Sequence, residues 1–185
     1  GKSTTADFFL QKGAVVFDAD EEAKQHLLSH IDLQNHIIDT FGTQVTRANH
    51  LDLLKLSEYV FTSKEYQNTL NKIIWPEVYT LIKSTAEKAA CDGIDLFVVD
   101  AALLLESGYK DFCNSILLIT AHQSIRIRRI KLRKNIPENQ IEKRMALQMP
   151  ESEKHKQVQN IIENNGNILE LHTQLERFWT KLNIS

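Results

Sequence analysis

The sequence predicts an α/β fold in which helices flank a parallel sheet and a long helical insertion interrupts the alternation. Short apolar runs that fit buried parallel strands recur at 14–17, 94–99 and 115–119. Helical patterns follow these runs, and the alternation implies a parallel sheet with right-handed crossovers. Residues 21–90 carry almost no strand signal and are too long for an ordinary crossover. They are therefore predicted to form a helical subdomain, inserted into a core made of residues 1–20 and 91–185.

Local start and stop signals place the elements in order. A first amphipathic helix follows Gly1 and is closed by Gly13. Within the insertion, apolar spacing predicts five helices, at about 27–31, 33–41, 53–60, 63–74 and 76–90. Pro76 suits the first turn of a helix, so we expect a new helix to begin there. Beyond the last apolar run the pattern predicts three helices, a short strand and a terminal helix, at about 122–134, 138–148, 151–158, 158–162 and 168–182.

The composition is that of an ordinary soluble globular protein. The 185 residues are 42% apolar and 25% charged, which is enough for one sizeable core. A net charge of −2 argues against a dedicated nucleic-acid binder, and no apolar run approaches the ~20 residues that span a bilayer. Cys91 and Cys113 are too few for a disulfide framework and match no metal spacing. We therefore expect a cytoplasmic protein without a nucleic-acid or membrane partner.

The chain opens on Gly1-Lys2-Ser3-Thr4, the second half of the phosphate-binding pattern G-x-x-x-x-G-K-[ST]. In that pattern backbone N–H groups surround a phosphate chain, the lysine reaches the β- and γ-phosphates, and the hydroxyl ligates Mg²⁺. The motif requires a loop, a helix and then a strand, and residues 1–17 provide that order. Neither a strand nor an initiator Met precedes Gly1, so we expect a piece of a longer chain whose first strand is absent here.

Two aspartates, Asp18 and Asp20, follow the first predicted strand. Ligands of open α/β sheets bind outside the carboxyl ends of the strands. One carboxylate could accept a proton from a substrate hydroxyl, while the other orients the substrate or a water bound to Mg²⁺. The alternative is that Asp20 only caps the helix that begins at Glu21.

Asp100 ends a second apolar strand. In other phosphate-binding folds, an aspartate in this position at the end of an apolar strand holds Mg²⁺. The segment after it, 101–108, is unusually apolar, and two interpretations stay open. It could line a pocket for an organic substrate, or it could be a buried helical turn that fills the core.

Basic residues cluster between positions 126 and 144. On a helix Arg126, Arg129 and Arg133 share one face. There they could neutralise the charge that develops in phosphoryl transfer, and a solvated helix face is the alternative. His26 and His30 have the spacing of a metal clamp but lack an evident third ligand, so we expect ordinary histidines.

Together these segments resemble the dephospho-CoA kinase family over nearly the whole chain. The resemblance rests on an ordered set of motifs: Gly1-Lys2-Ser3-Thr4, Val16 to Asp20, Asp100 through Leu103-Leu104 to Glu106-Ser107-Gly108, Gln148-Met149, Ile162-Glu163-Asn164, and the spacing of Arg129, Arg133 and Arg144. It implies a P-loop kinase fold. It also implies transfer of the γ-phosphoryl group of ATP to the ribose 3′-hydroxyl of dephospho-CoA, with Mg²⁺, giving CoA and ADP.

The resemblance implies a role for each matched residue. Asp20 would be the catalytic base, Lys2 would neutralise the β- and γ-phosphates, and Arg144 would reach the phosphates from a lid at about 122–149. The other implied contacts are Gly1, Lys2, Ser3, Thr4, Arg129 and Arg133 with ATP; Asp18, Asp20, Leu103, Leu104 and Glu106 with dephospho-CoA; and Ser3 and Asp100 with Mg²⁺. The insertion would bind CoA, and the enzyme would be a monomer or a small homo-oligomer.

The chain departs from the family pattern at three positions. Trp75 precedes Pro76 where the family has a histidine, Ala102 replaces a proline, and Glu163 replaces an aspartate. Two other interpretations stay open. A shikimate-kinase-like enzyme would have a shorter insertion and an arginine soon after the aspartate pair. A non-catalytic binding module derived from a P-loop protein would use the helical region for a protein partner.

Overall fold

A computed structural model describes residues 1–134 and 137–182. Within them lie ten α-helices: α1 Lys2–Gln11, α2 Ala19–Ser29, α3 Ile31–Phe41, α4 Leu53–Val60, α5 Lys64–Cys91, α6 Leu104–Ser107, α7 Gln123–Lys134, α8 Glu138–Ala146, α9 Glu151–Lys156 and α10 Ile168–Lys181. In the same ranges, two short 3₁₀ helices lie at Thr43–Val45 and Tyr109–Phe112. The strands of the same residues are β1 Val15–Asp18, β2 Thr46–Arg47, β3 His50–Leu51, β4 Phe97–Asp100, β5 Leu117–Thr120 and β6 Asn160–Glu163. No helix in these ranges is long and apolar enough to span a membrane.

The longer strands pair in parallel, as the alternation predicts, and among the described residues they form two separate sheets of two strands each. β1 lies beside β4, with Asp18 opposite Asp100, and β5 lies beside β6 in the same sense. Because β1 and β4 end at one edge, their terminal aspartates come together there. A cavity of about 890 Å³ is lined by residues of both β4 and β5. The further strand expected ahead of Gly1 stays a prediction.

The main core forms where α1 and α10 pack against the strands. α10 buries one stripe at helical spacing, formed by Leu171, Leu175 and Phe178. Phe9 of α1 meets Phe178 edge to face, with ring centroids 6.3 Å apart. This packing fixes the first helix, and with it Lys2, against the sheet.

The insertion has a hydrophobic cluster of its own. Its buried members come from α2, α3, α4 and the turn before β2, and they are Leu27, Ile37, Phe41, Val45, Leu56 and Val60. A hairpin of β2 and β3 also belongs to the insertion, with positive φ at the turn residues Ala48 and Asn49. No sequence pattern predicts this hairpin, because strands of two residues are too short to show alternation.

α5 is a single helix of 28 residues, so the expected start of a new helix at Pro76 is wrong. Proline inside a helix removes a backbone hydrogen bond and costs ~3 kcal/mol or more. Packing on both sides offsets this cost, because Ile74 packs against the insertion cluster and Val78 is buried in the core beside β1. The Tyr109 hydroxyl also donates a hydrogen bond to the carbonyl of Trp75. Burial raises the pKa of Tyr109 to about 12, so this hydroxyl stays a donor.

The apolar segment after Asp100 is a helical turn, and it both fills the core and lines the cavity. α6 begins after Leu103 and ends at Gly108, whose φ of 81° suits glycine. Leu104 packs against the cluster that contains Phe17 and also lines the cavity. The helical turn is therefore confirmed, and a pocket for an organic substrate stays a prediction.

Candidate active site

Lys2 begins α1, so it stands where the first backbone N–H groups of the helix have no partner within the helix. Gly1 precedes it as the N-cap. A Cβ at position 1 would lie 2.8 Å from the side chain of Ile119 and would also clash with Asn164, so glycine is required here. The start of the helix is thereby held close to the ends of β5 and β6.

Three charged side chains meet at the ends of β1 and β4. Lys2 Nζ lies 2.7 Å from Asp100 Oδ1 and 3.5 Å from Asp20 Oδ2. The side chain of Asp100 is 10% exposed, whereas that of Asp20 is 59% exposed and that of Lys2 is 42% exposed. Asp100 is therefore placed to hold the lysine, and Asp20 is accessible to a ligand.

Burial and neighbouring charges act on the pKa values of this pair. Burial acts to lower the pKa of Lys2, but the hydrogen bond and charge of Asp100, with the charges of Asp20 and Asp18, outweigh it and raise that pKa. Burial raises the pKa of Asp100, and the hydrogen bond and charge of Lys2 oppose this only in part. Lys2 therefore keeps its positive charge at neutral pH, as a phosphate ligand requires.

Asp18 caps α2, so the interpretation of Asp20 as the cap is wrong. Asp18 Oδ1 accepts hydrogen bonds from the backbone N–H groups of Asp20 and Glu21, both at 3.1 Å. Asp20 lies in the first turn of α2, where its carboxylate contacts Lys2 and solvent. The cap thus fixes the backbone that carries Asp20, and the carboxylate of Asp20 stays available for chemistry.

Arg129 supports the backbone beside Gly1. Its Nη1 donates to the carbonyl of Asn164 at 2.7 Å, and its Nη2 donates to the carbonyl of Gly166 at 2.8 Å. Both bonds hold the loop after β6, and Asn164 in that loop lies against Gly1. The predicted contact of Arg129 with ATP stays a prediction. The side chain of Arg133, the second arginine of α7 predicted to contact ATP, lies outside the part of the chain that the structure describes.

Arg144 of α8 contacts the insertion. Its guanidinium carbon lies 4.8 Å from the centre of the Phe61 ring, in a cation–π arrangement. Phe61 is the residue at the C-terminal end of α4. The contact therefore links α8 to the insertion, and the predicted contact of Arg144 with phosphate stays a prediction.

A second polar cluster surrounds Glu106, and its pairings are not predicted by any sequence pattern. Glu106 Oε1 accepts a hydrogen bond from the backbone N–H of Met149 at 2.8 Å, and Lys154 Nζ lies 3.7 Å from the same oxygen. Arg126 Nη1 lies 3.1 Å from Glu151 Oε2. The four charged side chains line the same cavity as the lysine of the phosphate-binding motif. No sequence signal marks these pairs, because the partners are far apart in the chain.

Oxygen donors that suit Mg²⁺ come from the first turn of α1 and from the ion pair itself. Ser3 is exposed in the first turn of α1, Thr4 beside it is half-buried, and Asp100 supplies a carboxylate. Within the described ranges no group of three or more His, Cys, Asp or Glu side chains is arranged to hold a metal ion. Mg²⁺ often binds through one or two carboxylates together with substrate phosphates, so this donor set fits the ion.

The cluster has the parts that phosphoryl transfer needs. Lys2 offers a positive charge at a helix N-terminus, where phosphates bind. Asp20 offers an accessible carboxylate 3.5 Å from that lysine, and Asp100 holds the lysine from the buried side. Phosphoryl transfer depends on positioning and charge neutralisation more than on covalent chemistry, and this geometry suits such a reaction.

Comparison with known proteins identifies relatives along the whole chain. A family model described as CoaE, dephospho-CoA kinase, matches residues 1–170. A dephospho-CoA kinase of Fusobacterium nucleatum subsp. nucleatum is 37% identical over 179 residues, which are 96% of this chain and 91% of that protein. One of Bacillus anthracis is 32% identical over 185 residues, which are 100% of this chain and 92% of that protein.

Solved structures also match the fold. The crystal structure of TT1252 from Thermus thermophilus has a TM-score of 0.80 at 26% identity and covers 100% of this chain and 93% of that one. The dephospho-CoA kinase from Campylobacter jejuni has a TM-score of 0.66 at 22% identity, with 98% and 90% covered, which is a likeness in fold.

Proposed function

This chain belongs to the dephospho-CoA kinase family, and on that premise we propose that Lys2, Asp20 and Asp100 carry the phosphoryl transfer of that family. The protein is an enzyme that transfers the γ-phosphoryl group of ATP to the ribose 3′-hydroxyl of dephospho-CoA, the last step of coenzyme A synthesis. The observation that supports this choice of residues is the position of Lys2 Nζ, 2.7 Å from buried Asp100 and 3.5 Å from accessible Asp20.

Each residue of the cluster has a distinct role in the proposed mechanism. Asp20 accepts the proton of the ribose 3′-hydroxyl as its oxygen bonds to the γ-phosphorus. The bond from the γ-phosphorus to the bridging oxygen breaks, and ADP leaves. Lys2 neutralises the charge that shifts onto the β- and γ-phosphates, and Asp100 holds Lys2 in place.

We propose Mg²⁺ as the metal of this site, held by Ser3 and Asp100 together with the phosphates of ATP. When bound, the ion would neutralise phosphate charge and orient the phosphate chain. Asp100 has a second carboxylate oxygen besides the Oδ1 that pairs with Lys2. The hydroxyl of Ser3 follows the lysine directly, which is the order that the phosphate-binding motif requires.

We propose that residues 21–90 bind the acceptor and that α7 and α8, within 122–149, act as a lid. The separate hydrophobic cluster of the insertion supports the first assignment, because it gives that segment a core of its own. The contact of Arg144 with Phe61 supports the second, because it spans from α8 to the insertion. A closed lid would exclude water, which competes with the acceptor hydroxyl for the γ-phosphoryl group.

The cellular setting and the assembly are also proposals. Cys91 and Cys113 are free thiols in the structure, which is the usual state of cysteine in the cytoplasm. We propose a cytoplasmic enzyme that acts as a monomer or a small homo-oligomer, with dephospho-CoA as its small-molecule partner and without a nucleic-acid or membrane partner.

The test is ADP production by the purified enzyme with ATP, Mg²⁺ and one of four acceptor conditions: dephospho-CoA, adenosine, shikimate or no acceptor. We expect turnover with dephospho-CoA far above the rate without acceptor, and CoA as the second product. Turnover with dephospho-CoA at the acceptor-free rate would refute the proposal. Preferential turnover of shikimate would support the shikimate-kinase-like alternative instead.

Replacing Arg144 with Ala is expected to lower kcat about 10- to 100-fold, because the proposed lid would lose a cation that stabilises the transferring phosphoryl group. Phe61→Leu is the matched control, since it removes the aromatic partner of Arg144 and keeps the arginine. We expect it to change kcat less than about threefold, because an exposed cation–π contact contributes only ~0.5–1 kcal/mol. Steady-state kinetics with both substrates measures the difference. An unchanged kcat for Arg144→Ala would show that Arg144 serves only the contact with Phe61.

A further inference from the structure

The two ends of the α7–α8 hairpin meet the rest of the protein through buried or half-buried charges. At the start of α7, Arg126 pairs with Glu151, the first residue of α9. The hydroxyl of Thr120, at the end of β5, donates a hydrogen bond to the same Glu151 carboxylate. At the other end, the chain returns from α8 to α9 through residues 147–150, and Glu106 contacts this return segment.

The contact of Glu106 with the return segment is direct and well shielded from water. Glu106 Oε1 accepts a hydrogen bond from the backbone N–H of Met149 at 2.8 Å, although the two residues are 43 positions apart. Pro150 follows Met149 and has no N–H group, so Met149 offers the last backbone donor before α9 begins. The side chains of Glu106 and Lys154 are only 18% and 13% exposed, and Lys154 Nζ lies 3.7 Å from Glu106 Oε1.

Glu106 lies on the short stretch from β4 to α6, and the start of that stretch, Asp100, holds the phosphate-binding lysine. Asp100 and Glu106 are separated by five residues, and Asp100 pairs with Lys2 at 2.7 Å. The short stretch from β4 to α6 therefore contacts the ATP site at one end and the base of the hairpin at the other. A buried carboxylate is costly to maintain, and Glu106 Oε2 is buried without a hydrogen-bond partner among the described residues. The Glu106 carboxylate is therefore better explained by a role in positioning the hairpin than by a contribution to the stability of the fold.

We propose that Glu106 is a positioning residue that fixes the C-terminal hinge of the hairpin relative to Lys2, and so sets how completely the active site closes. This inference rests on the proposed function, in which the hairpin is the lid. When the hinge is loose, water reaches the γ-phosphoryl group, and ATP is hydrolysed in competition with transfer to dephospho-CoA. Glu106 acts through the backbone of Met149 in this proposal, whereas the family resemblance implies a direct contact with the acceptor.

The test measures ADP formed per CoA formed at saturating dephospho-CoA. The wild-type enzyme should give a ratio near one, and Glu106→Ala should raise it about threefold or more, because its methyl group cannot accept the Met149 hydrogen bond. Glu106→Gln should stay within about twofold of the wild-type ratio, because its amide oxygen can still accept that bond. The matched control is Glu176→Ala, which breaks a lysine–carboxylate contact of 2.9 Å with Lys12 and should leave the ratio unchanged.

Two results would overturn the proposal. One is a Glu106→Ala enzyme with the wild-type ratio, whatever its kcat. The other is a rise in the KM for dephospho-CoA at constant ratio, which would assign Glu106 to acceptor binding. If Glu106→Ala does not fold, Glu106→Met decides, since its side chain fills the same space without an oxygen that could accept the Met149 hydrogen bond, and it should raise the ratio about twofold or more. A wild-type ratio in that variant refutes the proposal. A wild-type enzyme that makes no CoA would refute the proposed function instead.

Discussion

Replacing Asp20 with Asn is expected to lower kcat by about 10²- to 10⁴-fold and to change the dissociation constant of ATP less than about threefold. The amide cannot accept the proton of the acceptor hydroxyl, whereas it keeps the size and hydrogen-bonding shape of the carboxylate. The helix should persist, because Asp18 and not Asp20 supplies the cap of α2. Steady-state turnover with dephospho-CoA and a titration with an ATP analogue measure the two effects separately.

Glu22→Gln is the matched control for the Asp20 variant. It removes one negative charge from the same first turn of α2, where Glu22 is exposed. We expect kcat within about twofold of the wild type, since no role in the chemistry is assigned to that side chain. A similar loss of ATP affinity and of turnover in Asp20→Asn would contradict the assignment and make Asp20 a structural residue.

Replacing Lys2 with Met is expected to weaken ATP binding about 100-fold or more and to lower kcat as well, because the β- and γ-phosphates lose their cation. The change also leaves Asp100, only 10% exposed, without its partner. We expect the free energy of unfolding to fall by about 1–2 kcal/mol, a value reduced because the Lys2 side chain is itself 42% exposed. Urea unfolding and a nucleotide titration measure these losses.

The loss of stability in Lys2→Met should depend on pH with a defined sign. Burial already raises the pKa of Asp100, and removal of the lysine raises it further. A group whose pKa is higher in the folded state binds its proton more tightly there, so its contribution to stability is present at low pH and is lost as pH rises. The deficit of Lys2→Met relative to the wild type should therefore shrink as pH falls from neutral towards the raised pKa of Asp100.

The double variant Lys2→Met with Asp100→Asn separates stability from function. Removing both charges leaves no buried unpaired ion at this site, so the free energy of unfolding should return close to the wild-type value. ATP binding should be at least as weak as in Lys2→Met, because Asp100 is also a proposed ligand of Mg²⁺. A double variant no more stable than the single one would show that the pair of Lys2 and Asp100 does not carry the loss.

Elements with strong local signals could be predicted from the sequence. The apolar runs that became β1, β4 and β5 and the apolar stripe of α10 depend on periodicity alone, which is a property of neighbouring residues. The phosphate-binding motif at Gly1 to Thr4 is contiguous for the same reason. α5 shows the limit of this approach, because the local signal of Pro76 predicts a new helix and tertiary packing on both sides keeps one helix intact.

Sequence alone thus determined the fold class, the family resemblance and the candidates Lys2, Asp20 and Asp100. The tertiary structure decided which partner each charged group has. The register between β1 and β4 places Asp100 opposite Asp18. Of these two aspartates, Asp100 pairs with Lys2 and Asp18 caps α2. The contacts of Glu106 with Met149 and of Arg144 with Phe61 join residues that are far apart in the chain. Such pairings depend on distances through space, which the packing of the helices on the sheet sets and no local pattern encodes.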